Sequence, residues 1–234
     1  MNYGYLMSGM SYHVKELLLL LAMMILPIIA EILVKSTFNK YSRVRSSRGL
    51  RAEEAAEMIL RANGLFDVRI EHVRGSLTDH YSPKEKVLRL SDSVYGQTSV
   101  AAIGVAAHEC GHACQHDKNY LPIIIRQKIV PVVNICSYTW YIVFLLGCLF
   151  TMLPFLIYVG IAMFSAVVVF QLVTLPTELD ASRRAMKTLE RDCILETSEL
   201  RPARKVLRAA AMTYVASLAA SLMQLARLLL RVRR

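Results

Sequence analysis

Three apolar runs decide what this chain can fold into. "ELLLLLAMMILPIIAEILV" from Glu16, "IVPVVNICSYTWYIVFLLGCLF" from Ile129 and "FLIYVGIAMFSAVVVFQLV" from Phe155 are each about as long as a bilayer core requires. A chain committed to three such helices builds everything else beside a membrane bundle. The first run reads as an anchor and not as a cleaved leader, because only Lys15 gives it a basic start and "VKSTFNKYSRVR" offers no small-residue cleavage site. Pro27 can kink it, and Glu31 near its end suits the solvated interface.

Charge supplies the orientation. The chain is 55% hydrophobic, yet its formal net charge is +10. Lys35, Lys40, Arg43, Arg45, Arg48 and Arg51 follow the first run directly, the pattern of a cytoplasmic flank. Only "TMLP" separates the second and third runs, and so short and uncharged a hairpin belongs on the far side. The crossings then return residues 35–128 and those after Val173 to one face, expected to be cytoplasmic. A basic nucleic-acid binder would not carry runs of membrane length, so no nucleic-acid partner is expected. The last segment, "VLRAAAMTYVASLAASLMQLARLLLRVRR", is apolar enough to span, but it contains Arg208 and ends in a basic tail. Its sequence leaves a fourth crossing and an interfacial helix both open.

Between the first two runs the pattern is that of a small folded region. "RAEEAAEMILRANG" is an amphipathic helix stopped by Gly64, and "DVRIEHV" alternates as a half-buried strand does. "LTDHYSPKEKVLRLS" gives two short strands around a Ser82–Pro83–Lys84–Glu85 turn, and "EKVLRLS" could offer a free edge to an extended peptide. From Ser99, a helix N-cap, to Gln115 the residues are mostly small, which suits a helix packed closely against neighbours. The expected divisions are an anchor (1–34), a catalytic region (35–128), a membrane hairpin (129–173), a helical region carrying a third ligand (174–205) and the C-terminal apolar helix (206–234). The five cysteines form no CxxC pair and read as small buried hydrophobes.

The small-residue helix carries "HECGH", His108 to His112. In H-E-x-x-H two imidazoles lie one helical turn apart with a carboxylate beside them. The two histidines can hold zinc, and Glu109 can take a proton from the activated water and later give it to the leaving amine. Burying this group without a metal would be costly, so one Zn²⁺ per chain is expected. Zinc needs a third ligand from the same side, and "LPTELDASRRA" offers Glu178 and Asp180 after the third run. Position alone does not choose between them. His80 and Tyr81 in "TDHY" could stabilise the transition-state oxyanion or serve a hairpin. His116 lies one turn beyond the site and is left out of it. Arg183 and Arg184 could balance the acidic site, bind lipid headgroups or mark the cytoplasmic side.

Three blocks, "SVAAIGVAAHECGHACQH", "LTDHYSPKEKVLRLS" and "FQLVTLPTELDASRRA", resemble the YugP-like family of bacterial membrane zinc metallopeptidases. More distantly the chain is similar to the HtpX and CAAX-protease type of integral-membrane gluzincin, which has an E-x-x-A-D block. The resemblance implies Glu178 as the third ligand, beside His108 and His112, and Ala181 as the block's alanine. Ser182 stands where the distant family has an aspartate that orients a ligating histidine, so Asp180 is a candidate for that role by proximity. The expected protein is thus a mainly α integral membrane protein with three to four membrane helices. Its metallopeptidase domain, with a small β element, faces the cytoplasm and cuts membrane-associated or unfolded polypeptides. The alternative is a non-proteolytic membrane scaffold with a structural zinc, which would not need Glu109 and would have four protein ligands.

Overall fold

The computed structural model describes the backbone of residues 3–150 and 152–232, and side chains from Val14 onward. Its elements run α1 (Tyr3–Tyr41), α2 (Ala52–Ala62), β1 (Arg69–Val73), β2 (His80–Ser82), β3 (Val87–Ser91), α3 (Val100–Asp117), α4 (Leu121–Leu149), α5 (Phe155–Arg191) and α6 (Thr197–Val232). Among the described residues, four helices are long and apolar enough to cross a membrane: Val14–Tyr41, α4, α5 and α6. The C-terminal segment is therefore a fourth candidate span. The chain divides into two compact units, one of residues 1–31, 129–172 and 213–234, the other of 32–128 and 173–212.

The first unit is an apolar helical bundle. Leu18, Ile28, Ile29, Ile135 and Leu229 are exposed, as side chains facing hydrocarbon would be. Helices α4 and α5 approach to backbone contact: a Cβ on Gly147 would stand 2.5 Å from the Ile157 nitrogen, and one on Gly160 2.8 Å from Phe144 Cβ. Trp140 packs on Phe164 with ring centroids 4.5 Å apart. Glu16 accepts from Arg227 Nη2 at 3.1 Å, so a charge on α1 answers a charge on α6 within this unit. Thr151, in the hairpin, lies outside the described residues.

The second unit has its own core, built from Ile59, Leu88, Leu90, Ile103, Leu189 and Ile194, all fully or almost fully buried. Helix α2 starts with Glu54 accepting from the Arg51 amide at 2.9 Å, and two residues past its end stands Gly64, whose φ of 78° few other residues would adopt. Its apolar face packs on α3. The Ser99 hydroxyl accepts from the Ala102 amide at 3.2 Å and caps α3. The buried Glu199 of α6 accepts from the amide and hydroxyl of Ser47 at 2.6 and 2.9 Å, fixing the loop after α1.

The sheet order is β1-β3-β2, with β1 parallel and β2 antiparallel to β3. This corrects the expectation that "EKVLRLS" offers a free edge: it is the central strand. Val87, Leu88, Leu90 and Ser91 are all buried, so the segment is covered on both faces and hydrogen-bonded on both sides. The edges are β1 and β2. A second correction concerns the cysteines. Cys110, Cys114 and Cys136 are buried, whereas Cys148 and Cys193 are exposed. Cys148 lies on an apolar helix whose outer face can meet lipid, and Cys193 lies in the turn after α5, so neither needs protein cover.

The closest approach in this unit sits inside the motif. A Cβ on Gly111 would fall 2.6 Å from the Ala181 carbonyl oxygen and 3.1 Å from its Cα, so α3 and α5 touch backbone to backbone. Gly104, two turns earlier, is different, because a Cβ there would meet Ala203 at an ordinary 3.8 Å. Ala is the better helix former by about 1 kcal/mol. Gly104→Ala should therefore hold or raise the melting temperature of the detergent-purified protein. Gly111→Ala should lower it clearly and weaken metal retention, because the obstructing atoms are backbone. Thermal denaturation of the two variants side by side checks this.

Candidate metal centre

Helix α3 presents His108 and His112 on one face, and the Gly111–Ala181 contact brings α5 against that face. Glu178 lies one turn before Ala181 and so projects beside the two imidazoles. His108 Nε2 is 3.2 Å and His112 Nε2 3.5 Å from the same oxygen, Glu178 Oε2. One ligand atom from each residue falls within 4.8 Å of the other two, so the three could hold a single metal ion. The donor set fits: two imidazole nitrogens and one carboxylate oxygen are zinc ligands, and three protein ligands leave a position open. The carboxylate is buried, 3% exposed, and its other oxygen accepts from Arg126 Nη1 at 2.9 Å. With Oε1 held by a guanidinium, Oε2 is the oxygen left for a metal.

Each histidine also has a partner behind it. His108 Nδ1 lies 3.1 Å from the Ser182 hydroxyl, so Ser182 itself makes the contact for which the sequence nominated Asp180 by proximity. His112 Nδ1 lies 3.0 Å from Gln115 Oε1. The Gln115 amide nitrogen donates to the Thr177 carbonyl at 2.7 Å and to Asp180 Oδ2 at 3.0 Å. Both of those partners only accept, so the amide nitrogen must face them and its oxygen must face His112. An amide oxygen cannot donate, so Nδ1 of His112 carries a proton and Nε2, when the ring is neutral, keeps its lone pair toward Glu178. Asp180 accepts in turn from Arg184 Nε at 2.6 Å. Asp180 thus reaches His112 through Gln115.

Burial opposes protonation of His112, but the hydrogen bond to Glu178 and the nearby charges of Glu109 and Glu178 outweigh it. Its pKa lies above the ordinary histidine value. The local field therefore favours a cation at this ring, as it would a metal ion. Glu109, next to His108 in the same helix, is 9% exposed. Cys110 points away: it is fully buried, its thiol lies 3.6 Å from the Ala56 carbonyl, and burial pushes its pKa well above the ordinary value. Tyr81 stacks obliquely on His116, centroids 5.8 Å apart, and His80 Nδ1 donates to the Thr78 carbonyl at 2.9 Å. Neither belongs to the three-residue cluster, and neither does His116, whose Nε2 accepts from Gln127 at 2.8 Å. The sequence did not nominate Gln115 or Arg126 for a role at the ligands, whereas Arg184, one of the two arginines offered as a balance for the acidic site, pairs with Asp180. The one signal available was Gln115 three residues after His112, a neighbour on the same helical face.

An apolar helical bundle joined to an H-E-x-x-H helix with a facing glutamate defines the class of membrane metallopeptidases. Residues 16–233 match the family described as "Putative neutral zinc metallopeptidase", and the chain belongs to that family. It is similar to the protein called "Putative membrane protease YugP" of Bacillus subtilis (strain 168), with 48% identity over 198 residues, 85% of this chain and 88% of the relative. No solved structure matches.

Partners behind ligating histidines typically affect metal affinity 10–100-fold. Gln115→Leu should weaken zinc binding by about that factor, measured by competition with a chromophoric chelator. Ser182→Ala should cost less, because the hydroxyl is half-buried and water can replace it.

Proposed function

We propose that the protein is a zinc-dependent endopeptidase of the gluzincin type, acting at the cytoplasmic face of the membrane. The observation that carries this reading is the convergence of His108 Nε2 and His112 Nε2 on one oxygen of Glu178, with Glu109 beside them on the same helix. A bound zinc would supply Lewis acidity and a water made nucleophilic at neutral pH. His108, His112 and Glu178 would hold it, and Arg126 occupies the other oxygen of Glu178. Glu109 takes the proton of the attacking water and delivers it to the amine nitrogen as the C–N bond breaks. Strand β2 packs against α3 and has one unpaired edge, so it can align an extended substrate near the motif. With three described paired residues, that edge suits locally unfolded or membrane-associated polypeptide. His80 and Tyr81 sit on this strand and keep their candidacy as groups that meet the substrate.

The scaffold reading needs a fourth protein ligand. Among the described residues the cluster has three.

Glu109→Gln should retain about one zinc per chain and lose at least 100-fold in peptide-bond cleavage, in line with general-base contributions. Glu178→Ala should lose the zinc itself, whereas Asp180→Ala should retain it with reduced affinity. Metal content by atomic spectrometry and cleavage of an unfolded reporter read these out. An epitope inserted at the Lys84 turn should be inaccessible to antibody in intact cells; accessibility there would reverse the orientation.

A further inference from the structure

A pocket of about 270 Å³ lies on the second unit, away from the ligand atoms, lined by Asn63, Cys114 and Thr188 together with five cations. These are Lys118, Arg183, Arg184, Lys187 and Arg191, and no carboxylate lines it. Two carboxylates answer them from outside. Asp180 accepts from Arg184 and lies 3.7 Å from Arg183, and Asp192 accepts from Arg191 at 2.6 Å. These two carboxylates pair with three of the five cations, and Lys118 and Lys187 make no ion pair among the described residues.

The bland account of such charges is the helix dipole. Lys118 is the C-cap of α3, and Arg191 is the last residue of α5. That account fails for Arg183 and Arg184, about two turns before the end of α5, since the effect dies within the last turn. Like charges at this spacing repel, and a concave surface keeps solvent from screening them as well as on a convex one. Guanidinium forks offer several donors in one plane and match phosphate oxygens. A phosphate monoester carries about −1.5 to −2 at neutral pH, close to the surplus here.

We propose that this pocket binds a phosphate-bearing anion, through Arg184 and through Lys118 and Lys187, the two lysine ammonium groups having no carboxylate partner among the described residues. Two sources share this chemistry, a lipid headgroup and a free phosphate. The pocket is linked to the metal centre through two side chains, because Arg184 also holds Asp180, which holds Gln115, which holds His112. The anion site does not depend on the peptidase reading, since its residues exclude the three ligands.

The test is calorimetric titration of the full-length, detergent-purified protein in 0.15 M chloride. The probes are inorganic phosphate, short-chain phosphatidic acid and, as a lipid whose phosphate is masked by choline, short-chain phosphatidylcholine. Lys118→Ala/Lys187→Ala alters two exposed side chains, and Lys84→Ala/Lys205→Ala removes equal charge elsewhere. Expected is saturable binding of phosphate, phosphatidic acid or both, near one per chain, weakened at least tenfold only in the pocket variant. Binding of phosphatidic acid alone assigns the site to a headgroup; binding of inorganic phosphate as well assigns it to the free anion. Equal affinity in both double variants, unsaturable binding, or equal binding of phosphatidylcholine would overturn the proposal. Zinc content measured on the same preparations reports separately on the metal centre.

Discussion

The metal centre depends on a contact that involves no charge and no hydrogen bond. Gly111 lets the backbone of α3 rest on the backbone of α5 at Ala181. With α5 any farther away, a carboxylate one turn from Ala181 could not share an oxygen between two imidazoles one turn apart on α3. The glycine costs helix propensity in the middle of the motif, and packing against Ala181, itself fully buried, offsets it. The same device recurs at Gly147 and Gly160 between α4 and α5. Where helices lack large apolar side chains at their interface, backbone proximity replaces them as the source of rigidity.

That rigidity is then converted into chemistry by three outer contacts. Ser182 stands behind His108, Gln115 behind His112, and Arg126 on the free oxygen of Glu178. Each constrains a different freedom: a ring orientation, a tautomer and the direction of a carboxylate. Gln115 is the most constrained, because it is fully buried and its donors are consumed by two acceptors on α5. The α5 backbone that carries the carboxylate therefore also dictates how His112 presents its nitrogen.

Much of this architecture could be read in the sequence, for reasons that also explain the rest. Apolar runs of bilayer length declare themselves because hydrocarbon tolerates few exceptions, and three of the four candidate spans fall on them; the fourth is the Arg208-bearing C-terminal segment, whose sequence left a crossing and an interfacial helix both open. The ends of α4 and α5 do not, since both continue as helices into polar sequence, where hydropathy falls but helical geometry persists. The two-strand turn at Ser82–Glu85 was legible from Pro83, yet the order of the sheet was not. Whether "VLRLS" is central or peripheral depends on β1 arriving beside it from fourteen or more residues upstream, a long-range pairing that no local pattern encodes. The H-E-x-x-H helix was plain from spacing. Gln115 and Arg126 were not, because their partners lie on α5, more than fifty positions away in the chain. Ser182 was visible only as a departure from a family pattern. Its hydroxyl lies 3.1 Å from His108 Nδ1.

The position of Glu178 has a consequence in time as well as in space. His108 and His112 emerge from the ribosome about seventy residues before it, and the whole of α4 and the apolar half of α5 lie between them. A nascent chain therefore carries two imidazoles with nothing opposite them until both helices of the hairpin have been synthesised. Completion of the three-ligand cluster is tied to delivery of that hairpin, so an immature chain released into the cytosol would lack the full centre. The order of the sequence therefore sets the order in which the cluster can be completed.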